Sequence, residues 1–277
     1  MSTALAVYHG QFGRASIYRL NKPLATHAHR EGHLIFLIGG NEKASLDICD
    51  RRHALTRRFG VAVNPWQPHN FVPGDPINGC YFLTLYINPS WFLEIGRDAR
   101  SALRFGRNPI EMNDQIARLV HLVTALLTEH DYNDLFDGYL FELVRECFDQ
   151  SWQWCEGDSD MRNNWMTIRD FRIRKSIRLM KERIADELAL DNIARDSGLS
   201  RPHFYKLFRQ NIGLTPNIYL NTLRMETSID RLTRSSDPIT SIGLDLGFAS
   251  QASFTRFFTA NVGIPPTDYR RATTLSA

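Results

Sequence analysis

The chain has 277 residues, 43% of them hydrophobic and 23% charged, enough for one large buried core or two moderate ones. Its net charge of +3 decides little by itself, and its four cysteines (Cys49, Cys80, Cys147, Cys155) show no C-x-x-C spacing, which favours idle thiols in a reducing compartment over disulfides or zinc. No stretch approaches eighteen uninterrupted apolar residues and no charged start leads into an apolar run, which argues against a membrane span or secretory leader and for a cytoplasmic protein.

From about residue 14 to 88 the signal is strand-like. Residues 15–20, 33–38, 44–48, 60–63 and 80–86 are short runs rich in β-branched or aromatic side chains, punctuated by Gly39-Gly40-Asn41, Asn64-Pro65 and Pro73-Gly74-Asp75. Many short strands with turns between them predict a small sandwich or barrel. A cavity inside it would draw on His27, His29, His33, Phe36, Trp66, His69 and Tyr81. That lining suits a small polar or aromatic ligand, although most aromatics in a small barrel are simply core. Alternation separates His33, Ile35 and Leu37 from Leu34, Phe36 and Ile38, so only one of these sets faces the cavity.

Two helical patterns follow. Residues 111–130 place Ile116, Leu119, Val120, Val123, Leu126 and Leu127 on one stripe, and residues 134–156 offer Leu135, Tyr139, Leu143, Cys147 and Trp154 on another. Both stripes are expected to pack on the barrel. The polar stretch from Gly157-Asp158-Ser159-Asp160 through Asn163-Asn164 reads as an interdomain linker.

The last third carries one pattern twice. Ile193, Gly198, Ser200, Phe204, Phe208, Asn211, Gly213, Pro216 and Tyr219 return as Ile242, Gly247, Ser250, Phe254, Phe258, Asn261, Gly263, Pro266 and Tyr269. Each copy reads as a helix, a tight turn at glycine and a second helix capped by serine, which is a helix-turn-helix. Asp237 reads as the cap of the second unit's leading helix, with Pro238 at its first position; the first unit's leading helix, at Ala189-Leu190-Asp191, lacks such a cap. Residues 170–277 hold 16 Lys and Arg against 11 Asp and Glu, and the rest of the chain 17 against 19, so the modest positive charge lies on the repeated half. A weakly basic domain beside a near-neutral one suits nucleic-acid binding plus a second role.

At these residues the chain resembles the AraC/XylS family of bacterial transcription regulators. Gly247-Phe248, Ser250-Gln251, Phe254-Thr255-Arg256, Phe258, Gly263, Pro265-Pro266 and Tyr269 carry the family's end signature. The resemblance implies a seven-helix DNA-binding domain whose two units are joined by a long helix, here about residues 216–234. It also implies DNA contacts from Arg201, Pro202, Tyr205, Lys206 and Arg209 in the first unit and from Gln251, Ala252, Ser253 and Arg256 in the second. His27-Ala28-His29 and Pro65-Trp66-Gln67-Pro68-His69 resemble the cupin barrel that commonly precedes this domain. The implied fold is α+β with two domains: residues 1–156 form a cupin-like β-barrel with two helices, 157–169 a linker and 170–277 an all-α domain with two helix-turn-helix units. The implied function is a sequence-specific, effector-responsive activator. Its partners would be double-stranded DNA, a small-molecule effector, RNA polymerase and a second copy in a homodimer, with no membrane and no cofactor.

The effector is expected to touch His27, His29, Phe36, Trp66, His69 and Tyr81. His27, His29 and His69 also sit where cupin enzymes hold a divalent metal, so the alternative is a metal-dependent cupin enzyme with an appended helical domain. Such an enzyme adds a carboxylate, and Glu31 and Glu42, the acids at hand, lack its spacing. The expectation is therefore an organic-ligand pocket without metal, and no enzyme.

Overall fold

The computed structural model describes residues 2–95, 104–132, 134–152, 170–186 and 189–275. The expected linker, Trp154 and Cys155 lie outside these residues. The large sheet is formed by β1 (Thr3–Gly10), β2 (Gly13–Leu20), β3 (Gly32–Gly39), β6 (Phe59–Val63), β8 (Cys80–Ile87), β9 (Pro109–Glu111) and β10 (Thr273–Leu275) in the order β10-β1-β2-β8-β3-β6-β9. A smaller sheet runs β5 (Arg51–Ala54), β4 (Ser45–Ile48), β7 (His69–Val72). The pairings are antiparallel except the last: β10, the tail of the helical domain, lies parallel on β1 with Val7 opposite Thr273.

Both faces of the large sheet are covered, which explains why β3 and β8 read as nearly unbroken apolar runs. One face carries Leu34, Phe36, Leu83 and Leu85, packed under α2 (Asp114–Glu129) and α3 (Asp134–Trp152). The other carries Ile35, Leu37 and Phe82, packed on Leu46, Ile48 and Phe71 of the small sheet. The expected barrel is in fact two facing sheets that do not close on each other; His27, between β2 and β3, makes an isolated bridge to His69 of β7. The short helix α1 (Pro89–Ile95) brings Trp91 and Phe92 to the α2–α3 side.

The expected α2 stripe packs as read, with Ile116, Leu119, Val120, Val123 and Leu127 buried and Leu126 partly so. Asn113 caps the helix, its side-chain oxygen accepting the Ile116 N–H at 2.8 Å. In α3 Leu143 and Cys147 are buried and Tyr139 partly buried as expected, and the departure is at the start of the stripe. Leu135 points outward at 59% exposure, and Phe136, Leu140, Leu143, Val144 and Cys147 face the sheet. That set offers five buried positions at helical spacing, more than the Leu135 register supplies.

The helical domain comprises α4 (Phe171–Glu182), α5 (Ala189–Asp196), α6 (Arg201–Ile212), α7 (Pro216–Arg234), α8 (Ile239–Asp245), α9 (Gln251–Val262) and α10 (Pro266–Ala272). The connector α7 has the expected bounds and is begun by Thr215, which caps the Ile218 N–H at 3.3 Å. The two domains share buried surface: Met225, Leu232, Ile242, Phe254, Phe258 and Tyr269 belong to the same core as Tyr18, Leu20, Ile35 and Phe82.

Candidate nucleic-acid interface and sensor cavity

In the first unit α5 turns into α6 through Gly198 (φ +72°), and in the second α8 turns into α9 through Gly247 (φ +81°). A side chain in that left-handed region costs roughly 1–2 kcal/mol, so glycine sets both turns. The two positions differ in their surroundings. A Cβ on Gly198 would meet nothing within 4 Å, whereas one on Gly247 would stand 2.0 Å from the Ala185 carbonyl oxygen. Phe204 and Phe208 pin α6 and Phe254 and Phe258 pin α9, all fully buried. Gly243 lets α8 close on α9, since a Cβ there would lie 2.8 Å from that of Phe254.

The caps depart from the sequence reading. Ser250 Oγ accepts the Ser253 N–H at 3.2 Å, but Ser200, in the same extended conformation, makes no side-chain cap bond. Asp237 is not a cap either: its carboxylate accepts from Arg231 at 2.6 Å, and Pro238 occupies the cap position of α8.

Arg201, Pro202, Lys206 and Arg209 on α6, with Gln251, Ala252 and Arg256 on α9, are exposed, and Tyr205 and Ser253 are half-buried. Several are held in place. Arg201 pairs with Asp191 at 3.2 Å, Gln251 accepts from the Thr240 hydroxyl at 2.6 Å, and Arg256 donates to Ser253 Oγ at 3.1 Å. Arg209 stands apart from the rest, lining a groove of about 720 Å³ between the helical domain and the small sheet, beside Asp47 and Arg52.

Between the sheets, four histidines cluster. The ring centroids of His27, His29, His33 and His69 lie 4.4–5.5 Å from their neighbours, and all four residues are buried. His33 stacks on Tyr86 at 4.2 Å, and the Arg14 guanidinium lies 3.6 Å over the same ring. Burial holds all four imidazoles below their ordinary pKa, His69 at about 3, with neighbouring charges adding to the effect; they are neutral at pH 7. The open space beside His27, His33 and His69, which Leu24 and Val262 of α9 also line, is only about 30 Å³. A second pocket, about 360 Å³, lies between the domains, with Arg14, His29 and Glu31 on one side and Met225, Glu226 and Arg234 on the other. Burial pushes the Glu226 carboxyl up to about 7 although Arg30 pairs with it at 2.6 Å.

An AraC-like ligand binding domain family matches residues 15–144, and a helix-turn-helix domain family matches 193–272. The chain belongs to the AraC family of transcription regulators. The probable transcriptional regulator LumQ of Photobacterium leiognathi is 22% identical over 251 residues, 91% of this chain and 94% of LumQ. The transcriptional activator RhaS of Escherichia fergusonii is 30% identical over 102 residues, 37% of each chain. Crystal structures of ToxT from Vibrio cholerae share the fold: one superposes with a TM-score of 0.57 at 16% identity over 93% of this chain and 96% of its own, and another carries a bound unsaturated fatty acid.

As an AraC-family member the chain is a DNA-binding transcription regulator, and the family points away from an enzyme. Among the described residues no helix is long and apolar enough to cross a membrane. Of the residues expected to hold an effector, His27, His29 and His69 come together. Phe36 does not join them; strand alternation turns it to the α2–α3 side. Tyr81 is 37% exposed on the outside of β8. Trp66 leaves the cavity to stack on Tyr219 of α7 at 4.9 Å. What sequence reasoning missed is the network joining the domains: Tyr269 Oη receives Arg14 Nη1 at 3.0 Å and lies 2.9 Å from His9 Nε2. Arg14, Ser16 and Tyr18 alternate on β2 as a solvent-facing set would, and a docked second domain, which covers that face, leaves no local signal.

Proposed function

We propose that this regulator is an effector-responsive activator whose sheet domain passes a signal to the DNA-reading helices through the buried surface the two domains share. The supporting observation is the continuity of that surface. Phe254 and Phe258, which hold the second reading helix, pack in the same core as Leu20 and Phe82 of the sheet. The interdomain pocket of about 360 Å³ is of a size that admits a small organic effector, and its walls come from both domains. RhaS and the lactose operon regulator of Staphylococcus xylosus, named as activators, support activation as the output.

On the DNA side, Arg201, Pro202, Tyr205 and Lys206 would meet one stretch of major groove and Gln251, Ala252, Ser253 and Arg256 the next, about 10 base pairs away. Arg256 is our choice for a bidentate guanine contact and Lys206 for a phosphate contact. Arg209, facing the groove beside Asp47, would reach phosphate at most. The outward faces of α2 and α3 would join two copies into a homodimer, and RNA polymerase would be the partner at the promoter.

The test is a genomic binding map of the purified full-length protein, followed by footprinting and promoter-reporter assays with candidate metabolites. Protection of two adjacent major-groove segments, weakened steeply by salt through counterion release, is the expected result. Arg256→Ala should relax preference at one or two base pairs, with about 1–3 kcal/mol of discrimination lost. Binding that is indifferent to salt, or a reporter unmoved by any deletion of the sheet domain, would overturn the reading.

A further inference from the structure

The sequence leads one to expect a metal-free organic pocket among the histidines, and the free space argues otherwise. Beside His27, His33 and His69 about 30 Å³ admits one or two water-sized occupants, far below the roughly 300 Å³ at which organic-ligand pockets begin; of the four histidines only His29 lines the interdomain pocket of about 360 Å³. The donors, by contrast, are set out as a metal site requires. One ring nitrogen from each of His27, His29 and His69 lies within 4.8 Å of the other two. His27 Nδ1 is 2.7 Å from the Ala25 carbonyl oxygen and His69 Nδ1 is 2.9 Å from that of Gln67. A carbonyl only accepts, so each Nδ1 carries the proton and each Nε2 presents a lone pair. This is how metal-bound imidazoles are commonly oriented. Nε2 of His69 and of His29 is buried without any hydrogen-bond partner, as are both ring nitrogens of the adjacent His33. Buried polar atoms need partners, and four in one cluster form a set of donors and acceptors able to hold an occupant.

We propose that His27, His29 and His69 bind a divalent first-row transition metal ion, with His33 beside them, and that occupancy of this site is transmitted to the second reading helix. The ion class follows from the donors. Three neutral imidazoles without a carboxylate or thiolate in the set suit zinc, nickel, cobalt or iron and not magnesium or calcium. Bonds of about 2.0–2.1 Å would hold the three nitrogens roughly 3.3 Å apart, so from separations within 4.8 Å the rings draw together by up to about 1.5 Å on binding. That closure has a short route outward. The carbonyl bonded to His27 belongs to Ala25, whose own N–H donates to the Ala260 carbonyl near the end of α9 at 2.8 Å. The carbonyl of His29 accepts the Trp66 N–H at 2.6 Å, and Trp66 stacks on α7. The inference rests on the regulator reading for its output, not for the site itself.

The test uses the full-length protein, stripped with a chelator, offered zinc, nickel or magnesium in excess, and desalted. We expect about one zinc or nickel per chain and no magnesium. His29→Gln and His69→Gln should each weaken binding at least tenfold, while His121→Gln, on the exposed face of α2, leaves it unchanged. Should His69→Gln fail to fold, His29→Gln carries the comparison, with circular dichroism of the stripped protein as the control. Metal should also slow hydrogen exchange at residues 255–263 in the wild type and not in His29→Gln. Fewer than about 0.1 ion per chain, or equal binding by both variants, overturns the site. Stoichiometric binding with no change in α9 exchange overturns transmission. Absence of specific DNA binding with and without metal would instead count against the regulator reading.

Discussion

The first helix-turn-helix unit packs Phe204 and Phe208 with Ile173, Met180, Leu220 and Leu223 of its own domain, and Ala28 is the buried residue the sheet domain adds. The second packs Phe254 and Phe258 into a core that runs on through Leu20, Phe82 and Val7 into the large sheet. Two copies of one pattern therefore make the same turn and different attachments. The motif residues fix the local geometry; residues outside the motif decide what each unit is mechanically joined to. In this molecule the second unit is the one whose core is continuous with the large sheet.

The sharpest way to break that comparison is to empty each core in turn. Phe204→Ala and Phe254→Ala should each cost about 3–5 kcal/mol in urea unfolding. Their reach should differ. Hydrogen exchange should quicken in α4 to α7 for Phe204→Ala, and in α8 to α10 together with β2 and β8 for Phe254→Ala. Matching exchange maps for the two variants would refute the distinction.

The turn glycines come next. Gly198→Ala adds only the left-handed backbone penalty, about 1–2 kcal/mol. Gly247→Ala adds a contact at 2.0 Å with a backbone carbonyl, so the chain after α4 must move and the loss should reach about 2–5 kcal/mol. Equal melting temperatures for the pair would mean that the Ala185 approach is not held in solution.

Tyr269→Phe sharpens the comparison at the domain junction. It removes the hydroxyl shared by Arg14 and His9 and leaves buried donors without a partner, at about 1–3 kcal/mol. Tyr219→Phe, at the equivalent position of the first unit, should cost less, because the side chain works there through its stack on Trp66. The smallest effect is at the caps: Ser250→Ala should cost about 1 kcal/mol and Ser200→Ala a few tenths, as only the former side chain bonds a helix N–H. Thermal unfolding of the two serine variants side by side decides it.

These contrasts also show what the sequence could carry. Gly198, Gly247 and the paired phenylalanines are local signals, each forced by a turn or by helical spacing, and they placed α5 to α9 and the connector within a residue or two. The runs at β3 and β8 were legible because both faces of those strands are buried. β1, β5, β7 and β9 were not, being short, polar or alternating. In α3 Leu143 and Cys147 were legible, but Leu135 and its neighbour Phe136 competed for the first buried place and only packing on the sheet chooses between them. At the histidine site, His27, His29 and His69 could be read from their order along the strands. The smallness of the space beside them could not, since it depends on Leu24 and Val262 arriving from elsewhere.

One consequence of the parallel pairing of β10 with β1 lies in what it hides. A strand at the border of a sheet presents a row of unsatisfied amides and carbonyls, a template on which another chain can add itself. Here Thr273, Thr274 and Leu275 cover the second half of that row on β1, opposite Val7, Tyr8 and His9. The last residues of the DNA-reading half thus act as a guard for the other half, and a chain shortened before Thr273 would keep both reading helices while acquiring a sticky border.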